Sequence, residues 1–544
     1  MPFFPRVSSS LIVYLIISLF LAGFYAILFA QPIHLETADL GRHLTNGAMI
    51  VEEKAWSVFT TNLYSYTNPD YPFVNHHWLG GVAFYLTERI AGLTGLSLLF
   101  IGTSLAAFLF FFSLAYREAE AGIAAIAALL LAPVIAYRTE IRPEVFSYLF
   151  AAIFFWILWH YTRYGLKTKW LFILPIVEIL WVNTHIYFFV GIGLVGIFLI
   201  ETAVRIQLQR EKHAKALLRP LAITLGTVLG ATLLNPAFVS GAVQPFRIFG
   251  EYGYRVVENQ SVWFVEKIIS IPAIRYFKSA FVVLLGAWLY AITSLLVAPK
   301  SREYGRTPRD TDRGRTFSLL LAPTLIAFIV SIAGWLAIRN FTLFGYFALP
   351  LVAIFLKDMR RALRTPGHHF LLAGLAVAVF AGIFLIHPGY WEARRAPGLG
   401  ISFSSRTTAD FLRGEKIKGP IFNNYDIGSY LIYTLFPRER VFVDNRPEAY
   451  PVSFFQDVYI PIQENEDRWK EAESRYNFNA VVFYRNDLTP WAQQFLVKRI
   501  SDSSWAPVWV DHSTIIFLKR NGPNQSTIEK YELHKEMFRV GKPG

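Results

Sequence analysis

Apolar residues along this chain come in long blocks, separated by short basic segments or by longer stretches rich in aromatic and polar residues. A bilayer-crossing helix needs about 20 mostly apolar residues. Eleven blocks approach or meet that length, at roughly 9–30, 94–116, 121–137, 143–162, 169–184, 186–205, 217–235, 276–298, 316–336, 338–356 and 369–387. The first follows Arg6 and resembles a signal peptide. It is long for one, and its end "ILFA" lacks the small residue that cleavage prefers three positions upstream, so it reads as a retained helix. The pattern predicts a polytopic α-helical membrane protein with about 11 transmembrane helices over residues 1–388.

Two regions break the pattern. In the loop 31–93, "DLGRHLTNGAMIVEEK" sets Leu40, Leu44, Ala48 and Val51 at helical spacing, which predicts an amphipathic helix on the membrane surface. "HWLGGVAFYLTERIAG" reads as a second such helix, ending near Gly92. From 389 onward, short β-rich runs alternate with helical periods. "GPIFNN", "RVFVDN", "NAVVFY", "APVWVD" and "STIIFLKR" read as strands. "YDIGSYLIYTLF", "ENEDRWKEAESRY" and "TPWAQQFLVKRI" read as helices. This predicts a soluble α/β domain over 389–520, with the last two strands as a hairpin and 521–544 as a mobile polar tail.

Charge orients the chain. With a cytoplasmic N-terminus, Arg6, Arg117 and the segments "HYTRYGLKTK", "RIQLQREKHAKALLR", "PKSREYGRTPRDTDRGR" and "KDMRRALR" face the cytoplasm and hold 20 Lys+Arg. The opposite loops hold far fewer for their length, which is the positive-inside pattern. An odd number of passes then places the 31–93 loop, the 236–275 loop and the C-terminal α/β domain outside. The expected location is the cytoplasmic (inner) membrane, with membrane lipids as partners.

Composition narrows the class. The chain of 544 residues is 54% hydrophobic and 17% charged, with no cysteine. Disulfides, thiolate metal sites and cysteine nucleophiles are excluded. The net charge of +13 lies mostly in the short loops, since residues from 389 on carry 21 Lys+Arg against 19 Asp+Glu. That distribution serves topology and gives no reason to expect nucleic acid.

Candidate chemistry collects on the outer side. Asp39 and His43 are four apart and Arg42 is three from Asp39, so all three share a helical face. Asp39 is either a helix N-cap or a carboxylate base oriented by its neighbours. "NHHWL" offers His76 and His77; on a helix these would point about 100° apart, so one of them would join a given site. Arg138, Glu140, Arg142 and Glu144 crowd one outer helix end, where the arginines either pair with the acids or meet an anionic phosphate. His185 with Asn183, and Arg339 with Asn340, sit between apolar blocks. Asp444 and Arg446 in "DNRPEAY" either cap a loop or mark a site. No zinc spacing is present.

The stretch "TADLGRHLTNGAMIVEEKAWSVFTTNLYSYTNPDYPFVNHHWLGG" resembles the first outer loop of GT-C type membrane glycosyltransferases. Asp39, His43, Gly47, Tyr64-Ser65-Tyr66-Thr67 and His76-His77-Trp78-Leu79 match, with His77 where Glu is usual. "WVNTHIYFFVG", "LLNP" and "YDIGSYLIY…RVFVDNRPEAY" extend the likeness over most of the chain. The resemblance implies transfer of a sugar from a polyprenyl-phosphate donor to a lipid, glycan or protein acceptor, with inversion. It implies Asp39 as base, His43 and His76 as orienting or phosphate-binding groups, and Arg138, Arg142 and Arg339 on the leaving phosphate; His77 and His185 join them as substrate-binding candidates. Relatives often carry paired acids in this loop, whereas here Leu40 follows Asp39, so a divalent metal is left open. The rival readings are a transporter or flippase of lipid-linked glycans, and a non-catalytic glycan-binding scaffold.

Overall fold

A computed structural model describes residues 9–208, 214–247, 250, 252–296, 321–362, 391 and 396–538. Every predicted membrane block up to 356 contains a helix, and the block 369–387 lies outside the described residues. By length and composition, five helices among the described residues can cross a membrane: Ile12–Phe29, part of Trp78–Ala119, Glu144–Tyr164, Ile186–Gln207 and Ile338–Arg360. The block 169–184 differs from expectation. A 3-10 turn at Thr168–Phe172 precedes a helix of only 12 residues, Ile173–Thr184. At 1.5 Å per residue this helix is about 18 Å long, well short of a bilayer core.

The first loop forms a helix where one was expected, Leu40–Val51, but nine of its 12 residues are buried, so it is packed within the protein and not laid on a surface. The second amphipathic stretch runs into the next membrane helix as one element, Trp78–Ala119, broken at Gly92. Gly92 has φ +64, a left-handed conformation that glycine adopts without a Cβ penalty, so the break falls where the sequence placed it. The helices Leu40–Val51 and Trp78–Ala119 cross with their backbones in contact. A Cβ on Gly47 would collide with the Gly81 carbonyl and with Tyr85, and one on Gly81 would meet the His43 carbonyl at 2.8 Å. Gly47→Val should therefore prise the helices apart, at a cost of roughly 1–3 kcal/mol. Thermal unfolding of the purified protein checks this: a melting temperature several degrees lower is expected, and an unchanged one would mean the crossing tolerates bulk.

The C-terminal domain carries a four-stranded sheet: β1 (Ile421–Asn423), β2 (Ala480–Tyr484), β3 (Trp505–Val510) and β4 (Thr514–Lys519), in the order β1-β2-β4-β3. β1 and β2 are parallel, and β3 and β4 form the expected antiparallel hairpin. Two expectations fail. "RVFVDN" is not a sheet strand. It makes a single bridge, Val441 to Ser65 of the first loop, and the Asn423 side chain satisfies Phe442 and Val443. Its backbone partners lie in the first loop, not in the sheet. The segment after 521 is also not a loose tail. Gln525–Tyr531 is helical, Ile528 is buried, and the Leu533 N–H donates to the Pro507 carbonyl.

The domain grips the first loop directly, so both lie on one face of the membrane helices. Tyr66 N–H donates to Val441 O and Val441 N–H to Tyr64 O. The Arg42 backbone N–H donates to Ser429 Oγ at 2.9 Å, satisfying an amide at the start of the Leu40–Val51 helix. The Glu36 carboxylate, buried, accepts from Ser405 Oγ and from Ser513 Oγ. Asp444 and Arg446 form a buried bidentate pair at 2.7 and 2.6 Å. Arg446 also donates to Asn62 Oδ1 at 2.7 Å and lies over the Phe73 ring. "DNRPEAY" is thus a clamp on the first loop, more than a cap.

Candidate active site

Asp39 stands at the N-cap of the Leu40–Val51 helix, yet its side chain makes no capping hydrogen bond. Its carboxylate turns to cations instead. Oδ2 lies 3.6 Å from Arg42 Nη2 and 3.5 Å from His43 Nε2, and Oδ1 lies 3.5 Å from Arg142 Nε. The i+3 and i+4 neighbours come from helical spacing, while Arg142 comes from a separate loop. Burial alone would raise the Asp39 carboxyl, but Arg142, then His43 and Arg42, hold it well below the ordinary aspartate range. The group is ionised at neutral pH, and its side chain keeps 18% exposure.

The histidines converge more fully than the sequence implied. His77 is the N-cap residue of its helix and His76 precedes it in the turn, so the 100° helical spacing does not apply. Their rings lie 3.9 Å apart, with His77 5.4 Å from His43 and 5.2 Å from His185. His185 Nδ1 is 2.8 Å from Ser147 Oγ, which also accepts from Trp181 Nε1. His76 Nδ1 faces the Val74 carbonyl, and its buried Nε2 has no hydrogen-bond partner. Asn183 is structural: it accepts from Trp78 Nε1 and donates to the Leu234 carbonyl.

Arg138, Arg142 and Arg339 meet at a residue that sequence reasoning missed, Glu258. Arg138 Nη1 and Arg142 Nη1 donate to it at 2.7 and 2.9 Å, and Arg339 Nη1 stands at 4.0 Å. Arg138 also pairs with Glu144 at 2.5 Å, and Arg142 with Glu140 at 2.7 Å. The pairing and convergence readings of these arginines therefore both hold. Burial would raise the Glu258 carboxyl, but the three arginines hold it far below the usual range. The charges of Arg42, Arg138, Arg142 and Arg339 are matched by Asp39, Glu140, Glu144 and Glu258. Even so, Arg42 Nε and Nη1, Arg138 Nη2, Arg142 Nε and Arg339 Nε are buried without hydrogen-bond partners. Buried donors left unsatisfied are costly, and an anionic oxygen would satisfy them.

This donor set does not suit a divalent cation. Both Asp39 oxygens face cationic side chains, and Glu140, Glu144 and Glu258 are each paired with arginine. Among the described residues no cluster of three acids or histidines fits a metal.

Burial pulls His43 down to about 4, with Arg42 adding, and pulls His76 to about 4 as well. Both are neutral at pH 7. Their folded values lie below the ~6.5 of an exposed imidazole, so protonation favours the unfolded chain. Stability should thus fall as pH drops from 6.5 toward 4. Melting temperatures across that window should show the fall, with a shallower slope in His76→Gln; parallel slopes would remove His76 from the account. In the C-terminal domain, burial and then Asp487 push Asp426 up to about 7. It acts the other way over the same window: its contribution is full below about pH 4 and is lost as pH rises toward 7, so it offsets part of the histidine effect.

This chain is a polytopic membrane protein of the GT-C glycosyltransferase fold, with a buried acid–arginine–histidine centre between its first loop and adjoining helix ends. In particular, it is similar to the oligosaccharyltransferase of Archaeoglobus fulgidus tethered to an acceptor peptide containing the NVT sequon, with TM-score 0.58 and 12% identity, covering 93% of this chain and 74% of that one. The apo form of the same enzyme matches at TM-score 0.58, covering 95% of this chain and 75% of that one. ArnT from Cupriavidus metallidurans bound to undecaprenyl phosphate matches at TM-score 0.46 and 15% identity, covering 93% and 97%. No family model and no curated protein match the sequence.

Proposed function

We propose that the protein is a glycosyltransferase that moves a sugar from a polyprenyl-phosphate donor to an acceptor on the extracytoplasmic face of the cytoplasmic membrane. The observation that carries this is the junction at Arg142, which touches the Asp39 carboxylate on one side and the arginine–Glu258 cluster on the other. A general base and an anion-stabilising group are thereby held side by side. In the reaction, the acceptor hydroxyl oxygen bonds to the anomeric carbon as the bond from that carbon to the carrier phosphate breaks. Asp39 takes the hydroxyl proton. The unsatisfied guanidinium N–H groups of Arg138 and Arg339, with the charge of Arg142 beside them, stabilise the charge growing on the departing phosphate. Attack from the side opposite the phosphate inverts the anomeric centre. His43 orients Asp39, and neutral His76, His77 and His185 extend from His43 as a cluster of adjacent rings. No step is routed through a metal ion.

Carrier binding tests the arginine role separately from turnover. Polyprenyl phosphate should raise the melting temperature of the wild-type protein in detergent and leave that of Arg142→Ala nearly unchanged. An equal rise in both would detach the carrier from these arginines.

A further inference from the structure

His185 follows the helix Ile173–Thr184 and caps the short turn Ile186–Phe188. Its ring is buried, and the hydrogen bonds of its two nitrogens decide which one carries the proton of the neutral form. The Tyr187 backbone N–H meets Nδ1 at 3.4 Å, and an amide N–H can only donate, so Nδ1 is an acceptor. Ser147 Oγ, 2.8 Å from the same nitrogen, therefore donates its hydroxyl hydrogen to it. The Ser147 oxygen in turn accepts the Trp181 Nε1–H at 2.7 Å. The bonds run in one direction, from Trp181 through Ser147 to Nδ1, and each polarises the next. The proton of His185 is left on Nε2, which makes no hydrogen bond among the described residues. His76 is arranged the opposite way. Its Nδ1 faces the Val74 carbonyl and must hold the proton, so its Nε2 presents a lone pair.

Resting on the proposed transferase reading, we infer that Ser147 is a positioning residue: with Trp181 it locks His185 in the Nε2–H form, so that a neutral donor serves the leaving phosphate beside Arg339. Geometry puts the two groups together. His185 and Arg339 flank Tyr187, whose ring centroid is 4.6 Å from that of His185 and 5.6 Å from the Arg339 guanidinium carbon. Ser147 lies three residues after Glu144, one helical turn from the carboxylate that pairs with Arg138 and stands 3.5 Å from Arg339. Ser147 and Trp181 come from different helices and are fully buried, which removes water as a competing partner for Nδ1. Burial, then Arg339, holds the His185 imidazole well below its usual range, so it stays neutral at pH 7. A neutral donor adds a hydrogen bond to a phosphate oxygen and no charge. The four arginines of the centre are already matched by four acids, so the phosphate departs without a fifth cation to retain it. The reversed form of His185 would turn a lone pair toward an anionic oxygen, and the two would repel.

Solid-state nitrogen-15 NMR of the histidine-labelled full chain in liposomes reads the position of the proton. The His185 signals are those missing from His185→Gln. Wild type should show a single neutral form with the proton on Nε2. Ser147→Ala alone leaves Trp181 Nε1 buried without a partner, so it should also lose stability. The double variant Ser147→Ala/Trp181→Phe removes donor and acceptor together and should stay folded. It should show both neutral forms of His185, because the Tyr187 amide alone, at 3.4 Å, holds Nδ1 weakly. In the same preparation kcat for sugar transfer should fall about tenfold, the worth of one hydrogen bond in the transition state, with the donor KM little changed. Ser147→Thr keeps a hydroxyl and should retain both the single Nε2–H form and the rate. A wild-type proton on Nδ1, a charged ring at pH 7, or a double variant still in the single Nε2–H form would overturn the inference. Mixed forms with an unchanged kcat would overturn it too. A wild-type protein without transfer would overturn the transferase reading alone, because the proton is located in the resting protein.

Discussion

Asp39→Asn should lower sugar transfer by about 10³-fold while leaving the fold in place. Asparagine keeps the shape of the side chain and loses only the charge and the basicity. A positioned general base contributes typically about 10²–10⁴ to rate, so the loss lies within that range. The side chain makes no capping bond to the helix, and its contacts at 3.5–3.6 Å are ionic with no tight hydrogen bond among them. Helix formation therefore does not depend on it. Turnover and melting temperature of the same preparation check the prediction together. Full transfer by Asp39→Asn would remove Asp39 as the base. A collapse in melting temperature with the activity would make its role structural.

Glu258→Ala should be the most destabilising change at the centre. Two arginines donate to this carboxylate and a third stands at 4.0 Å, all largely buried. Removing it leaves their charges uncompensated, and breaking a buried ion pair from one side costs about 3–5 kcal/mol. Because Glu258 is 18% exposed, the lower part of that range is expected. Glu258→Gln keeps an acceptor oxygen and should fall between wild type and alanine. Linkage gives the pH signature. The folded carboxyl is held below its unfolded value, so its contribution is present above pH ~4.3 and is lost as pH falls. Chemical or thermal unfolding at pH 7 measures the effect, and an alanine variant as stable as wild type would mean the arginines need no such anchor.

The parts of this centre that follow from local spacing were readable in the chain. Asp39, Arg42 and His43 are joined by i+3 and i+4 helical steps, and Gly92 marks the break within the helix Trp78–Ala119. Arg138, Arg142 and Arg339 were readable as charges at helix ends, although their meeting point was not. Glu258 gave no local signal: it is one acid in a long outer loop, and only the fold brings it to three arginines. "RVFVDN" misled for a related reason. It has the composition of a strand, but its backbone partners lie in the first loop, hundreds of residues away. His76 and His77 were misread because a helical angle was applied to a turn, where both rings can reach one site.

The most direct measurement follows a polyprenyl-phosphate sugar labelled in the sugar, in proteoliposomes of the wild-type protein supplied with a cell-envelope extract as acceptor source. The account predicts that the bond between sugar and phosphate breaks: label leaves the donor, free polyprenyl phosphate accumulates, and Asp39→Asn prevents both. Intact donor moving between leaflets, with no bond cleaved, would contradict it and favour a transporter.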